Sequence, residues 1–245
     1  MINTINFSDN TPSILQKYHE NMCIFLNIDI DNCIITPFLS HNKELSKYYF
    51  LSNFWQVPEP YCIGMKQYYD KMDIDPILVD KIINTKISFS EKSIMIAKAA
   101  AMKDIDTINI IIDTPEPINA SVDEMKSFCT YIKNLGRKII NFNQDKWNIL
   151  LPEVVFYTVT EKFKTDIMKQ LIMTTDNNLL VEAASYDKIW GIGMTEKDDD
   201  IFNIRKWKGY NLLGYGCTYI RMCYTLDISE EEKCNKFCNF IISLR

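Results

Sequence analysis

Glu91 and Lys98 lie seven residues apart in the stretch SEKSIMIAKAAAM. On an α-helix that spacing brings a side chain back to within ~20° of the same azimuth, about 10 Å further along the axis. An acid and an amine would then leave one face of a helix whose other residues are mostly apolar. A Lys on so apolar a helix either snorkels to water or is held beside a partner. If it is partly buried, its pKa falls and its amine becomes a nucleophile. Glu91 also has a plainer reading, because Ser88-Phe89-Ser90-Glu91 has the spacing of a helix capping box. Spacing alone leaves both readings open.

Three further constellations could meet this pair. FLSNFW (50–55) sets Asn53 beside Phe54, a combination that can hydrogen-bond and stack a flat ring. Aromatics in such a run also serve as core. Arg137 follows Leu135-Gly136 and could grip a phosphate with two parallel hydrogen bonds or cap the carbonyls of a helix end. Trp147 opens a long helical stretch, where an aromatic can anchor packing or face a ligand. EAASYDKIWGIGM (182–194) spends two of only seven glycines, Gly191 and Gly193, beside Trp190 and Asp187. Glycine lets backbone approach a ligand closely. Asp187 either faces that ligand or simply starts the turn.

Composition narrows the classes. The chain has 245 residues, 47% of them hydrophobic and 24% charged, as in a globular protein. A net charge of −5 argues against broad, salt-driven binding of nucleic acid, yet leaves room for a local basic pocket. No apolar run reaches the ~18 residues of a membrane span. MINTINFSDNTPS lacks the basic-then-apolar order of a secretory signal, so a cytoplasmic location is expected. Eight Cys are scattered without a C-x-x-C pair, which predicts free thiols and no zinc site. The two His, His19 and His41, sit in no metal or triad motif, so chemistry must run on carboxylates, Lys, Tyr or backbone groups.

The elements that must position these groups are mostly helical. The β-branched run 21–38 predicts one or two strands. From residue 66 the patterns turn helical, with a break near Pro76. Ser121-x-x-Glu124 opens a helix expected to stop at Gly136, and a long helical stretch covers 144–173 with an interruption expected at Pro152. WKGYNLLG (207–214) reads as a turn feeding a closing helix, and Ser229-x-x-Glu232 starts the C-terminal one. The fold class is mainly α: a single compact helical domain with a small β element at its N-terminus. Residues 1–49 read as a partly β extension and 50–245 as the domain.

FLSNFW, SEKSIMIAKAAAM, NLGRKI with Trp147, EKF, LVEAASYDKIWGIGM and WKGYNLLG, in this order, resemble the NADAR superfamily. The resemblance runs from about 50 to 222. It implies a mainly helical fold and cleavage of an N-glycosidic bond to ribose, with no cofactor. The family's catalytic Glu falls on Glu91, its helical Lys on Lys98, its Trp on Trp147 and its Asp on Asp187. The implied partner is a small phosphorylated ribosyl substrate or ADP-ribosylated nucleic acid, such as an ADP-ribosylated guanine or a riboflavin-biosynthesis intermediate. A non-catalytic ADP-ribose-binding module is the alternative. On this reading Asn53, Phe54, Arg137, Trp147, Trp190, Gly191 and Gly193 contact substrate. Stacking falls to Trp147 or Phe54, and phosphate to Arg137.

Overall fold

A computed structural model describes residues 5–244; the first four residues of the predicted extension lie outside the described residues. Pro12 starts α1 (Pro12–Phe25), where its fixed φ and missing N–H suit a first helical turn. Leu15, Tyr18, His19, Met22 and Cys23 recur every three or four residues and are buried, so this segment follows a helical period. The expected strands therefore shrink. Residues 21–25 belong to α1, and only Ile35–Phe38 form a strand, β1. It does not pair locally: it lies parallel to β4 (Leu179–Glu182), with Ile35 opposite Leu179 and Phe38 opposite Glu182. A second two-residue pair joins β2 (Tyr61–Cys62) to β3 (Lys86–Ile87).

The rest is helical. α2 (Lys66–Tyr69) and α3 (Pro76–Asn84) are separated as Pro76 requires, with Asp75 capping Ile77 N–H. α4 (Ser90–Ala101) is buried on nearly every side and packs against α5 (Ile105–Asp113), α6 (Val122–Arg137) and α7 (Gln144–Lys162). A helix so enclosed can afford apolar residues all round its circumference; Lys98 is the half-buried exception. α7 then packs on α9 (Leu212–Cys223) and α10 (Glu230–Ser243), and α9 on β4. None of the described helices is long and apolar enough to cross a membrane.

Three local expectations change. Ser121 and Glu124 do form a capping box, but α6 runs through Gly136 to Arg137. Gly136 is there for packing, because a Cβ on it would meet Met95 Sδ of α4 at 2.0 Å. α7 continues through Pro152, and the break falls at 163–165, where Thr165 caps α8 (Asp166–Met173). The described residues before 50 contribute to the core. Phe7 and Tyr18 pack edge-on against Tyr210, His19 bonds Tyr215 Oη at 2.9 Å, and Tyr210 Oη donates to Asn6 O at 3.1 Å.

Candidate active site

A cavity of about 520 Å³ opens between the front of α4 and the bend that follows β4. Its first wall comes from α4. The N-cap of that helix is Phe89, one residue later than a Ser88 capping box needs, and it makes no side-chain cap. Ser88 N–H instead donates to Glu116 Oε2 at 2.7 Å. Glu91 is thus the second helical residue, free of capping, with its own N–H on Asn53 O at 3.3 Å. Its side chain enters the cavity with 5% of its surface exposed, and Oε1 has no hydrogen-bond partner. Burial pushes its pKa up to about 7; Lys133, Lys98 and Arg137 pull the other way, while Asp187 adds to the rise.

Lys98 lines the same wall two turns on. Its Nζ donates to Gly136 O at 3.1 Å and lies 4.5 Å from the centroid of the Phe142 ring. Burial lowers its pKa against the pull of Glu91, with Arg137 and Lys133 lowering it further. α6 adds Lys126, Lys133 and Arg137, at spacings of seven and four that place them on one face. Arg137 caps no carbonyl: its guanidinium donates to Asn134 Oδ1 at 2.9 Å and borders the cavity. Burial works against the charge on Lys133, but Glu91, Asp187 and Glu182 outweigh it and hold the ammonium above its usual pKa.

The opposite wall is the bend. Asp187 Oδ1 accepts the backbone N–H groups of Ile189 and Trp190 at 3.1 and 2.9 Å, so it does build the turn. Oδ2 lies 3.8 Å from Lys133 Nζ, so it faces the cavity as well. Gly191 and Gly193 do not line the cavity, which removes them from the expected contacts. Both are buried behind the bend. A Cβ on Gly191 would stand 2.7 Å from Glu182 O, and one on Gly193 3.1 Å from the Lys208 backbone. Their smallness lets the bend lie flat on β4 and on residues 208–211, bonded by Lys208 N–H to Ile192 O and Tyr210 N–H to Lys188 O. The two glycines thus set the position of Asp187 and Trp190 from behind the cavity wall.

Asn53 and Phe54 of the 52–54 loop, Trp147 and Trp190 complete the lining as their residue types suggested. That loop is held by Lys162, fully buried on α7, whose Nζ donates to Leu51 O and Ser52 O at 3.2 and 2.8 Å. Burial pushes the pKa of Lys162 down to about 8. Among the lining groups not foreseen as site residues, four can carry charge in this setting: Lys126, Lys133, Glu182 and His41. The stripe 126–133–137 was legible as a cationic helix face. Glu182 was legible as an acid closing an apolar strand.

The site therefore joins segments from residue 39 to residue 190. Residues 38–223, three quarters of the chain, match the NADAR domain family. An N-glycosidase of Acanthamoeba polyphaga mimivirus is 42% identical over 85 residues, 34% of this chain and 49% of that protein. The irg-1 protein of Caenorhabditis elegans is 30% identical over 154 residues, 62% of this chain and 66% of its own length. The matched stretches thus span about half of one relative and just under two thirds of the other. With the match covering both walls of the cavity, the chain belongs to the NADAR family.

Proposed function

We propose that this chain is an N-glycosidase that hydrolyses the bond between a ribose and a base, acting on ADP-ribosylated guanine or a related phosphorylated ribosyl substrate. The observation that carries the proposal is the Glu91 carboxyl group, buried and with one oxygen unpartnered, in a cavity lined by four cationic side chains. A buried polar atom without a partner is uncommon in a folded protein, and one that faces a cavity is free to bond a ligand there. The name of the viral relative points to the same chemistry.

Rupture of a ribose–nitrogen bond builds positive charge on the anomeric carbon C1′. An ionised Glu91 stabilises that charge and takes the proton of the attacking water. Lys126 and Arg137 lie on one face of α6 at the cavity edge, suited to phosphate oxygens. Phe54 and Trp147 offer faces for the base or sugar. A local basic wall in a chain of net charge −5 favours a compact phosphorylated group over a long duplex.

Lys98 provides a second route within the same function. Its depressed pKa leaves more neutral amine near pH 7, able to attack the opened sugar aldehyde and form an imine. Lys133, with its pKa raised, stays a cation and serves as counter-charge. Borohydride treatment during turnover separates the routes: a mass adduct absent in K98A identifies the imine, and its absence in wild type identifies direct water attack. The function itself is tested by incubating the protein with an ADP-ribosylated guanine oligonucleotide, NAD, ADP-ribose and ribosylaminopyrimidine phosphates. Free base released by wild type and not by E91A is the expected result. Tight binding with no release, the same in E91Q, would make the protein a binding module.

A further inference from the structure

A glycosidase needs a group that gives up a proton to the departing base as well as one that carries negative charge. Three carboxyl groups line the cavity: Glu91, Glu182 and Asp187. Asp187 is committed, with Oδ1 on two backbone N–H groups and Oδ2 toward Lys133. Glu182 is not. Its backbone is pinned at the end of β4, where its N–H donates to Asn211 Oδ1 at 3.0 Å and its carbonyl accepts from Ala184 and Ile192 at 2.9 and 3.0 Å. Its side chain reaches the cavity, forms no ion pair among the described residues, and leaves Oε2 sealed from solvent without a partner.

The geometry points to Glu182 as the acid that protonates the departing base, an inference that rests on the N-glycosidase reading above. Lys133 and Asp187 bear on both free acids, but in opposite order of strength. Lys133, Lys98 and Arg137 bear on Glu91 and favour its ionised form. The largest charge influence on Glu182 is Asp187, which favours its protonated form, ahead of Lys133 and Lys162, which oppose it. Burial first, then Asp187, pushes the Glu182 pKa up to about 8, above the value of about 7 for Glu91. Such a pair divides into acid and base by environment. The groups facing Glu182 are Lys133 from α6, Glu91 from α4, Lys162 from α7, Cys217 from α9, and Asp187 and Tyr186 from its own loop.

The step balances with water as the co-reactant. The C1′–N bond breaks and its electron pair passes to the base nitrogen, which takes the proton from Glu182 Oε2. Water bonds to C1′ and gives its proton to the Glu91 carboxylate. The products are the free base, protonated on that nitrogen, and the C1′ hydroxyl sugar. Glu91 then holds the proton that Glu182 has lost, and exchange with solvent resets both.

The test uses whichever substrate the full-length wild type cleaves, alongside the same substrate with its base N-methylated to a cation that leaves without a proton. E182Q keeps the shape of the side chain and cannot donate as an acid. Its kcat on the neutral base should fall by about 10²- to 10⁴-fold, the usual range for general acid catalysis. Its kcat on the cationic base should stay close to wild type. The kcat/KM profile of wild type should fall on the alkaline side near pH 8; E182Q should lose that limb, and E182D should retain it. Melting curves distinguish an unfolded variant, and E182A, which also lacks an acid, supplies the neutral-against-cationic comparison if E182Q does not fold. Equal loss on both bases, or an alkaline limb unchanged in E182Q, overturns the role of Glu182 and leaves the glycosidase reading standing. A wild type that releases neither base overturns both.

Discussion

Glu91 and Lys92 are neighbours in the first turn of α4, both nearly sealed from water, and they face opposite ways. Behind the helix, Lys92 Nζ donates to Thr114 O at 2.9 Å and lies 3.8 Å from Glu116 Oε1, while Glu116 Oε2 takes the Ser88 N–H. Burial depresses the pKa of Lys92 and raises that of Glu116, but each has a charged partner. Glu116 Oε1 makes no hydrogen bond either, but it is held in that ion pair; in front, Glu91 forms no ion pair among the described residues and looks into a cavity. Burial therefore does not distinguish a structural charge from a reactive one; partnership does. A paired charge behind the helix holds the loop at 114–116 in place, and on the proposed function the one in front is left for substrate.

The sharpest way to break this contrast is to neutralise each residue in turn. E91Q should lower kcat by about 10²- to 10³-fold, the scale of losing a group that stabilises developing charge, with the fold intact. K92M should do the reverse. Removing one partner of a buried pair costs about 3–5 kcal/mol, so urea denaturation should show a large loss of stability. The kcat of the folded fraction should change far less than in E91Q, and adding E116Q to K92M should restore part of the lost stability. If K92M and E91Q had matching effects on both readouts, the two faces would not differ in kind.

A smaller effect concerns pH. The folded pKa of Glu91, about 7, lies above that of an unfolded Glu, so the native state holds the proton more tightly. Its contribution is present at acid pH and is lost as pH rises from about 4.5 through 7. Relative to E91Q, wild type should therefore lose up to about 3 kcal/mol across that window, measured by urea denaturation at pH 4 and pH 8. A difference independent of pH would mean that Glu91 is not buried as described. The smallest effect belongs to the rim: R137A should raise KM by about tenfold, the worth of one charge-assisted contact, with kcat less affected. An unchanged KM would remove Arg137 from phosphate binding.

The front face was largely legible because regular spacing carries it. Glu91 and Lys98 share an azimuth in any straight helix, and the structure puts both on one wall. Lys133 obeys the same rule with Lys126 and Arg137, a stripe legible from spacing, although nothing in the residue types said that it faces the acid. The opposite wall was legible only in part. Asp187-x-x-Trp190 reads as a turn from residue types, yet the role of Gly191 and Gly193 depends on which backbone lies beneath them. That backbone is β4 and residues 208–211, brought there by tertiary packing. Gly136 misled for the same reason, since Met95 lies 41 residues earlier in the chain. In α1, β-branched content suggested strand at 21–25, whereas the three-four recurrence from Leu15 to Cys23 and Pro12 at the first turn set the helix.

The central claim is that an unpartnered acid in a cationic cavity breaks a ribose–nitrogen bond. Single-turnover chromatography with excess enzyme tests it most directly, following free base from an ADP-ribosylated guanine oligonucleotide with wild type and E91Q side by side. Stoichiometric base release by wild type and, over the same interval, only a trace with E91Q are expected. Intact substrate bound equally by both proteins, or equal release by both, would contradict it.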